Sequence, residues 1–282
     1  MKTLGEILTL SVQHLKDRQV PRARRMAEEL LAHHLGLKRL DLYMQFDRPM
    51  VETELAAYRT SLKRKIKGEP LEYILEKISF FHCQLEVNSS VLIPRPETEI
   101  LLSKASQMVA PEMKTAWDIC CGSGCLGLGL KKAHPHLDVT LSDLSEGALA
   151  LAQKNAELNQ LSVNFLSGDL LAPFAGKKAD LVLCNPPYVT EEEYAALDPE
   201  VKNYEPKMAF LGGLTFYERL SQELPNYLNP NAKLFFEIGC TQGNAVLSLF
   251  SAPHWKIKRV EKDWADHDRF FFLEFESLFT LS

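Results

Sequence analysis

Seven short apolar runs of the strand type alternate with helical segments over the last two thirds of the chain. The runs span about residues 115–120, 137–143, 162–167, 179–185, 232–238, 255–260 and 269–275. Strands that alternate with helices pair side by side in a sheet whose two faces are covered by helices. The last two runs are joined by a short loop, which predicts an antiparallel final hairpin. The pattern therefore predicts an α/β fold with a doubly wound, seven-stranded sheet.

The first 75 residues carry helical periodicity and no strand-like run. Apolar residues recur at helical spacing from Leu4 to Leu15, and residues 22–37 and 52–67 are two further helical stretches. We expect a small helical-bundle domain over residues 1–75. Its basic clusters, such as the one at residues 63–67, fit either contact with an acidic protein surface or RNA, or a solvated helix face.

Alternating polar and apolar residues between Ile78 and Val91 predict a β-hairpin. Residues 76–93 then form a linker, and residues 94–282 form the α/β domain. A long connection at residues 189–214 has no strand-like run. Connections of that length inside a compact domain are usually functional or mobile, although its tyrosines, Tyr194 and Tyr204, also suit a core.

The fourth strand of the predicted sheet ends abruptly at Asn185-Pro186-Pro187-Tyr188. Two consecutive prolines have no N–H and a fixed φ, so the carbonyl groups of Asn185 and Pro186 are left outside any helix. These carbonyls and the Asn185 amide can accept hydrogen bonds from a planar NH2 group, and Tyr188 adds an aromatic face. The motif fits a site that methylates nitrogen, although the same residues also simply end a strand and begin a loop.

A glycine-rich turn follows the first strand of the sheet. Residues 118–125 read Asp-Ile-Cys-Cys-Gly-Ser-Gly-Cys and lead into a predicted helix. The glycines at residues 122–127 also match the dinucleotide fingerprint, with Asp143 placed to bind a ribose hydroxyl. Two features favour S-adenosylmethionine over NAD. Asp118 precedes the turn, where a cationic methionine end would lie, and no pyrophosphate then needs the helix N-terminus.

Polar residues at the ends of several strands define the candidate site, because such ends share one crevice in an open parallel sheet. Asp169 is a candidate adenine contact with Leu170 packed on the ring, and a helix or turn cap explains Asp169 equally well. The candidate cofactor-binding residues are Cys120, Cys121, Gly122, Ser123, Gly124, Asp143, Asp169, Leu170 and Asn185. The candidate catalytic residues are Asn185, Pro186 and Tyr188, and Pro187 joins them in the candidate substrate-binding set.

Several segments occur together in a characteristic order over roughly residues 68–270. They are residues 68–74, 91–99, 118–124, 185–188, 205–206, 216–217 and 237–239, with Gln242. The most specific are Pro-Arg-Pro-Glu-Thr-Glu at residues 94–99 and the Asn-Pro-Pro-Tyr motif. In these segments the chain resembles the PrmC/HemK glutamine methyltransferases, which modify class I peptide-chain release factors.

The resemblance implies a class I S-adenosylmethionine-dependent methyltransferase with a Rossmann-like sheet and an N-terminal substrate-recognition domain. It implies N5-methylation of the glutamine in the Gly-Gly-Gln motif of class I release factors. The family usually has glycine where Cys120 stands and often where Glu76 stands, so we expect an ordinary backbone conformation at Cys120. It often has a larger aromatic residue near Leu170.

Two other activities share part of this motif set. Methyltransferases of amino groups on nucleic-acid bases also use Asn-Pro-Pro-Tyr, and a sibling enzyme methylates a glutamine of a ribosomal protein. A net charge of −5 and the absence of a recognisable nucleic-acid-binding module argue against a nucleic-acid substrate. The segment at residues 94–97 favours the release factor over the ribosomal protein.

Composition indicates a cytoplasmic protein, because the chain has no apolar run of 18 or more residues and no signal-peptide pattern. No membrane partner is expected. Its six cysteines lack paired C-x-x-C spacing and a matching set of histidines, so we predict no metal site. For the reaction itself, we expect the Asn185 side-chain oxygen and the Pro186 carbonyl to accept the two hydrogens of the glutamine amide.

Overall fold

The computed structural model describes residues 1–276, which divide into two compact units. The helical unit comprises residues 1–77 together with residues 198–204. The α/β unit comprises residues 78–197 and the described residues from 205 onward. The domain boundaries at residues 75 and 93 stay predictions. No helix among residues 1–276 is both long and apolar enough to cross a membrane.

The helical unit contains the three helices that the periodicity predicts. Its helices are α1 (Leu4–Lys16), α2 (Ala23–Leu35), α3 (Glu52–Ile66) and α4 (Leu71–Leu75), with a 3-10 helix at Arg39–Gln45. Thr3 and Glu6 form a capping box that begins α1, because each side chain accepts a hydrogen bond from the other residue's backbone N–H. Gly36, with φ of 64°, ends α2 in the left-handed conformation.

A short helix from the long connection also belongs to the helical unit. This helix, α9 (Pro199–Tyr204), carries Glu200, whose carboxylate lies 2.7 Å from the Nζ atom of the buried Lys65. The Tyr204 hydroxyl donates to the carbonyl oxygen of Lys67 at 3.0 Å. Tyr204 is therefore held by the helical unit through its hydroxyl.

The α/β unit is built on the predicted seven-stranded sheet. A small hairpin of β1 (Lys77–Phe80) and β2 (Cys83–Glu86) precedes it. The strands of the main sheet are β3 (Thr115–Ile119), β4 (Asp138–Asp143), β5 (Asn164–Ser167), β6 (Ala179–Cys184), β7 (Leu228–Glu237), β8 (Trp255–Lys262) and β9 (Asp268–Phe275). Their order is β5-β4-β3-β6-β7-β9-β8. Strands β3 to β7 are parallel and β9 is antiparallel to both neighbours, which confirms the predicted final hairpin.

Helices cover both faces of this sheet. They are α5 (Pro96–Gln107), α6 (Cys125–Ala133), α7 (Glu146–Leu158), α10 (Thr215–Glu223) and α11 (Gly243–Leu249). A further helix, α8 (Glu191–Ala196), lies in the long connection after β6 and has no buried residue. Successive residues of β7 point to opposite faces. Phe235 packs in the core that contains residues of α5 and α6, and Phe236 packs in the core that contains residues of α10 and α11. The sheet is therefore doubly wound.

The β1–β2 hairpin is attached to α7 by two asparagine side chains one helical turn apart. Asn155 accepts from the Glu86 N–H at 2.6 Å and donates to the Glu86 carbonyl at 3.0 Å. Asn159 makes the same pair of bonds to Gln84 at 3.0 and 2.7 Å. The two side-chain amides thus make the hydrogen bonds to the β2 backbone that a neighbouring strand would otherwise make. Asn155 also donates to the Ser123 carbonyl, so the hairpin is tied to the glycine turn.

Candidate active site

A cavity of about 300 Å³ opens at the carboxyl ends of the central strands. Its lining includes residues at the ends of β3, β4, β5 and β6 or just after them, namely 120–123, 142–145, 168–170 and 185 with 187. It also includes residues of the segment before α5 and of the segment after α9, together with Phe216. The sequence prediction that these strand ends share one crevice is thereby confirmed.

The structure brings most of the predicted site residues to this cavity. Those that line it are Cys120, Cys121, Gly122, Ser123, Asp143, Asp169, Leu170, Asn185 and Pro187. Gly124, Pro186 and Tyr188 are not among the lining residues. At Gly124, which precedes α6, an added Cβ atom would meet the Leu141 side chain at 2.9 Å, so glycine is required for close packing.

The turn after β3 uses left-handed backbone at three alternate residues. The φ angles are 60° at Cys120, 54° at Gly122 and 80° at Gly124. The expectation of an ordinary conformation at Cys120 is therefore wrong. The Cys121 N–H bonds to the Ser142 carbonyl at 2.9 Å, which holds the turn against β4. A side chain in this conformation costs roughly 1–2 kcal/mol, so the local geometry overrides the preference of the residue.

Asp118 lies beneath this turn and does not line the cavity. Its Oδ2 atom accepts from the Gly127 N–H at 2.7 Å, and its Oδ1 atom is buried without a hydrogen-bond partner among residues 1–276. Burial raises the pKa of Asp118 to about 7, and the nearby charge of Asp143 acts in the same direction. The Oγ atoms of Ser123 and Ser142, which do line the cavity, are also buried without a partner in the described chain. Such groups fit a polar ligand.

Asp143 and Asp169 place two carboxylates in the cavity lining, in different surroundings. Asp143 accepts from the N–H groups of Gly122 and Ser145, both at 2.9 Å, while burial raises its pKa. Asp169 is about half exposed and forms a two-pronged ion pair with Arg219, at 3.1 and 2.9 Å. The sequence did not predict Arg219 as its partner. The Asp169 carboxylate is thus paired with a guanidinium group, and the residue also lines the cavity.

Leu170 and Phe216 supply apolar surface to the same cavity. Leu170 is 4% exposed and has φ of 46°, so it too occupies the left-handed region. Phe216 belongs to a segment that carried the family resemblance, yet sequence reasoning gave it no role. The sequence did not identify the lining residues from α10 and from the segment before it, because these residues are far along the chain from the glycine turn.

A buried chain of hydrogen bonds connects Asn185 with β7. The Asn185 Nδ2 atom donates to Thr98 Oγ1 at 3.3 Å, and Thr98 Oγ1 donates to Glu237 Oε2 at 2.6 Å. Thr98 and Glu237 are each only 2% exposed. Burial raises the pKa of Glu237, which the bond from Thr98 and the charge of Arg269 partly offset. Both residues lie in segments that sequence reasoning singled out without giving them a role.

Tyr188 joins the same network without lining the cavity. Its hydroxyl donates to Glu237 Oε1 at 3.1 Å and accepts from Arg269 Nη1 at 3.3 Å. Its carbonyl oxygen accepts from Gln242 Nε2 at 2.8 Å. Its ring packs against a hydrophobic core cluster, and burial raises the pKa of its hydroxyl well above the usual range. Tyr188 therefore supports the motif through hydrogen bonds and packing and does not present its ring to the cavity.

The segment before α5 and the segment after α9 are clamped together by Glu205. Its Oε2 atom accepts from the Ile93 N–H at 2.9 Å, and its Oε1 atom lies 2.5 Å from Arg95 Nη2. The carboxylate is almost fully buried. Because Pro94 and Pro206 both line the cavity, this ion pair joins two segments that contribute to its lining.

The six cysteines are all free thiols. Burial raises the pKa values of Cys121 and Cys125 far above the usual range, so both thiols are neutral near pH 7. No group of three or more His, Cys, Asp or Glu side chains suited to a metal ion occurs in the part of the chain that the structure describes.

Comparison with known proteins gives concordant matches over most of the chain. The profile of the PrmC N-terminal domain matches residues 6–75, and that of the methyltransferase small domain matches residues 96–201. The chain is 40% identical to a release factor glutamine methyltransferase from Geobacter sulfurreducens over 252 residues, which cover 88% of each chain. It is 39% identical to one from Chlamydia trachomatis serovar L2 over 276 residues, 96% of this chain and 94% of the relative.

A solved structure supports the fold. A methyltransferase from Pyrococcus furiosus superposes with a TM-score of 0.53 at 16% sequence identity, covering 81% of this chain and all of the other. Identity at that level bears on the architecture alone.

Proposed function

The chain belongs to the release factor glutamine methyltransferase family, and we propose that it transfers a methyl group from S-adenosylmethionine to the side-chain N5 atom of a glutamine in class I peptide-chain release factors. The target is the glutamine of their Gly-Gly-Gln motif. We place the reaction in the cytoplasm, where release factors act. The observation that carries the proposal is the pairing of Asn185 with Thr98 at the edge of the cavity, which leaves amide and carbonyl oxygens for a substrate NH2 group.

The cavity suits a cationic cofactor. No lysine or arginine lines it within residues 1–276, whereas the carboxylates of Asp143 and Asp169 do. A pyrophosphate would call for cationic side chains or a helix N-terminus. Ser123 and Ser142 also line the cavity, and their buried Oγ atoms have no hydrogen-bond partner within the described chain. When bound, S-adenosylmethionine supplies an electrophilic methyl group on a sulfonium centre.

Three groups of residues would hold the cofactor. Asp143 is the last residue of β4 and would bind ribose hydroxyls, while the turn at residues 120–124 lets the backbone approach the ligand. Asp169 and Leu170 would contact the adenine, with Leu170 supplying the apolar surface. The ion pair with Arg219 would hold the Asp169 carboxylate in a fixed orientation.

The acceptor nitrogen would be bound by two oxygens of adjacent residues. The Asn185 Oδ1 atom accepts no hydrogen bond from the described chain, and neither does the Pro186 carbonyl oxygen. A primary amide has two N–H groups, so this pair of acceptors can engage both and fix the nitrogen in one orientation. Accepting both hydrogens also favours the positive charge that develops on nitrogen during transfer.

A glutamine amide is a weak nucleophile because its nitrogen lone pair is delocalised into the carbonyl group. Alignment and the two accepted hydrogen bonds must therefore supply much of the rate enhancement. The titratable side chains of the lining are Asp143, Asp169 and cysteines, and none of them is hydrogen-bonded to Asn185 in the described residues. We therefore place proton loss from nitrogen after methyl transfer, with no side chain acting as general base.

The test uses the purified protein with radiolabelled S-adenosylmethionine. It is incubated separately with a class I release factor, with the same factor carrying alanine in place of the Gly-Gly-Gln glutamine, with a ribosomal-protein fraction, and with total RNA or DNA. We expect label on the unaltered release factor alone. Label on nucleic acid would identify a base methyltransferase, and label on the altered factor or on ribosomal protein would identify another target. Each of these results would overturn the proposal.

A further inference from the structure

We infer that Thr98 and Glu237 are positioning residues that orient the Asn185 amide, so that its oxygen and not its NH2 group faces the substrate nitrogen. The inference rests on the proposed function, because it explains how the Asn185 oxygen is held where it can accept a hydrogen bond from the substrate amide. An asparagine amide has nearly the same shape in both orientations, so shape alone does not decide which end faces the cavity. The hydrogen bonds made by Thr98 decide the orientation of the Asn185 amide.

The direction of each hydrogen bond follows from proton count. A threonine hydroxyl has one proton and can both donate and accept. At 2.6 Å from Glu237 Oε2, the Thr98 hydroxyl gives its proton to the carboxylate, since an ionised carboxylate can only accept. Thr98 Oγ1 then has only lone pairs to offer. The Asn185 atom 3.3 Å away must therefore be the donor Nδ2, and Oδ1 is turned away from Thr98.

The other partners of Glu237 support the carboxylate form. The Tyr188 hydroxyl donates to its second oxygen at 3.1 Å, and Arg269 bonds to that hydroxyl at 3.3 Å. Two donors on two oxygens, with a guanidinium next to them, stabilise an acceptor at this position. Because Glu237 is 2% exposed, water does not compete with these bonds.

The backbone explains why the three residues meet. Cys184 pairs in register with Phe236, so Asn185 and Glu237 are the next residues on two adjacent parallel strands. Thr98 is the third residue of α5, which begins at Pro96 after the N-cap residue Arg95. A proline inside the first turn costs the helix no hydrogen bond and fixes where it begins. The position of Thr98 between the two strand ends is thereby set by rigid elements.

Replacement of Glu237 by glutamine should reverse this polarity. The glutamine oxygen can accept from Tyr188 while its NH2 group donates to Thr98 Oγ1, which leaves the Thr98 proton free to point at Asn185. The Asn185 amide then turns its oxygen to Thr98 and presents NH2 to the substrate, which is the wrong partner for an amide NH2. Because glutamine has nearly the same size and shape as glutamate, we expect Glu237→Gln to leave the fold unchanged.

The kinetic test compares Thr98→Ser, Thr98→Val and Glu237→Gln with the unaltered enzyme, using release factor methylation and calorimetric binding of S-adenosylmethionine. We expect Thr98→Ser to keep kcat within about threefold, because it keeps the hydroxyl. Thr98→Val and Glu237→Gln should each lower kcat at least about tenfold with cofactor affinity within about threefold. In an Asn185→Ala background, Thr98→Val should have almost no further effect on kcat, since it acts through Asn185. Equal losses in both backgrounds, or full activity of Thr98→Val, would overturn the inference.

A second readout does not depend on the substrate. In enzyme labelled with 15N at asparagine, the Asn185 side-chain NH2 protons should show nuclear Overhauser contacts to the Thr98 side chain, and Glu237→Gln should abolish them. The Asn155 NH2 group, held by the Glu86 and Ser123 carbonyls, is the internal control and should not change. Absence of the Asn185 contact in the unaltered enzyme would overturn the orientation whatever the activity. A contact present in an enzyme that labels no release factor would refute only the proposed function.

Discussion

The carbonyl oxygen of Pro187 lies so close to Gly212 that a Cβ atom added to this glycine would stand 2.2 Å from it. The ring of Phe216 would be met at 2.5 Å. Hydrogen bonds on either side hold this approach in place, because the Val189 N–H donates to the Phe210 carbonyl and the Gly212 N–H donates to the Val189 carbonyl. The strand end that carries the motif and the segment at residues 206–212, which also contributes to the cavity lining, are thus packed backbone to backbone.

We therefore expect Gly212→Ala to lower release factor methylation at least about tenfold and to lower the midpoint of thermal unfolding. The added methyl must push the Pro187 carbonyl or the Phe216 ring out of place. The matched control is Gly213→Ala, since Gly213 has φ of 55° but no atom within 4 Å of its added Cβ. That change should cost only the backbone strain of about 1–2 kcal/mol. Equal effects of the two variants on activity would contradict the packing argument.

The chain stores a different strain at Cys120. Its φ of 60° suits glycine, and a cysteine tolerates it at a cost. We expect Cys120→Gly to keep activity and cofactor affinity within about threefold, whereas Cys120→Val should lower the free energy of unfolding by roughly 1–3 kcal/mol relative to Cys120→Gly, because a β-branched side chain fits left-handed backbone worst. Urea unfolding of the two variants measures the difference. A valine variant as stable as the glycine variant would contradict it.

The sequence predicted the sheet because short apolar runs that alternate with helical segments identify buried strands, and the strand ends then had to share a crevice. It misjudged Cys120, since the identity of a residue does not report the φ angle that a turn between β3 and α6 imposes. It gave Thr98 and Glu237 no role, because they are 139 residues apart and no local pattern links them. For Tyr188, the motif suggested an aromatic surface for substrate, whereas the hydroxyl bonds beneath the cavity depend on Arg269, which only the folded sheet brings near.

Asp118 should make the stability of the cofactor-free protein depend on pH. Its pKa is about 7 in the folded state against an ordinary value of 3.8, so between those values the folded protein binds more protons than the unfolded chain. The free energy of unfolding therefore falls as the pH rises through this range. The slope is about 1.4 kcal/mol per pH unit well below the folded pKa and half of that at pH 7, so the loss between pH 5 and pH 7 is on the order of 2 kcal/mol.

Denaturant unfolding at pH 5 and pH 8 tests this expectation. Asp118→Asn should remove this part of the pH dependence, because an amide has no charge to bury. Asp180→Asn is the control. Although burial raises the pKa of Asp180, hydrogen bonds from the Lys114 and Thr115 N–H groups lower it overall, so Asp180 stays ionised across this range. If Asp118→Asn and Asp180→Asn leave the same difference between pH 5 and pH 8, Asp118 is not the group that titrates.

Asn185 should matter for methyl transfer far more than for cofactor binding. Asn185→Ala removes one of the two proposed acceptors of the substrate amide, and loss of one such aligned contact in a transition state costs on the order of 10²-fold in kcat. Single-turnover methylation of a release factor measures that step, and calorimetry measures cofactor affinity, which should change less than about threefold. Ser90→Ala is the matched control, because Ser90 lines the same cavity outside the motif. A loss confined to cofactor affinity would show that Asn185 binds the cofactor and does not bind the glutamine amide that accepts the methyl group.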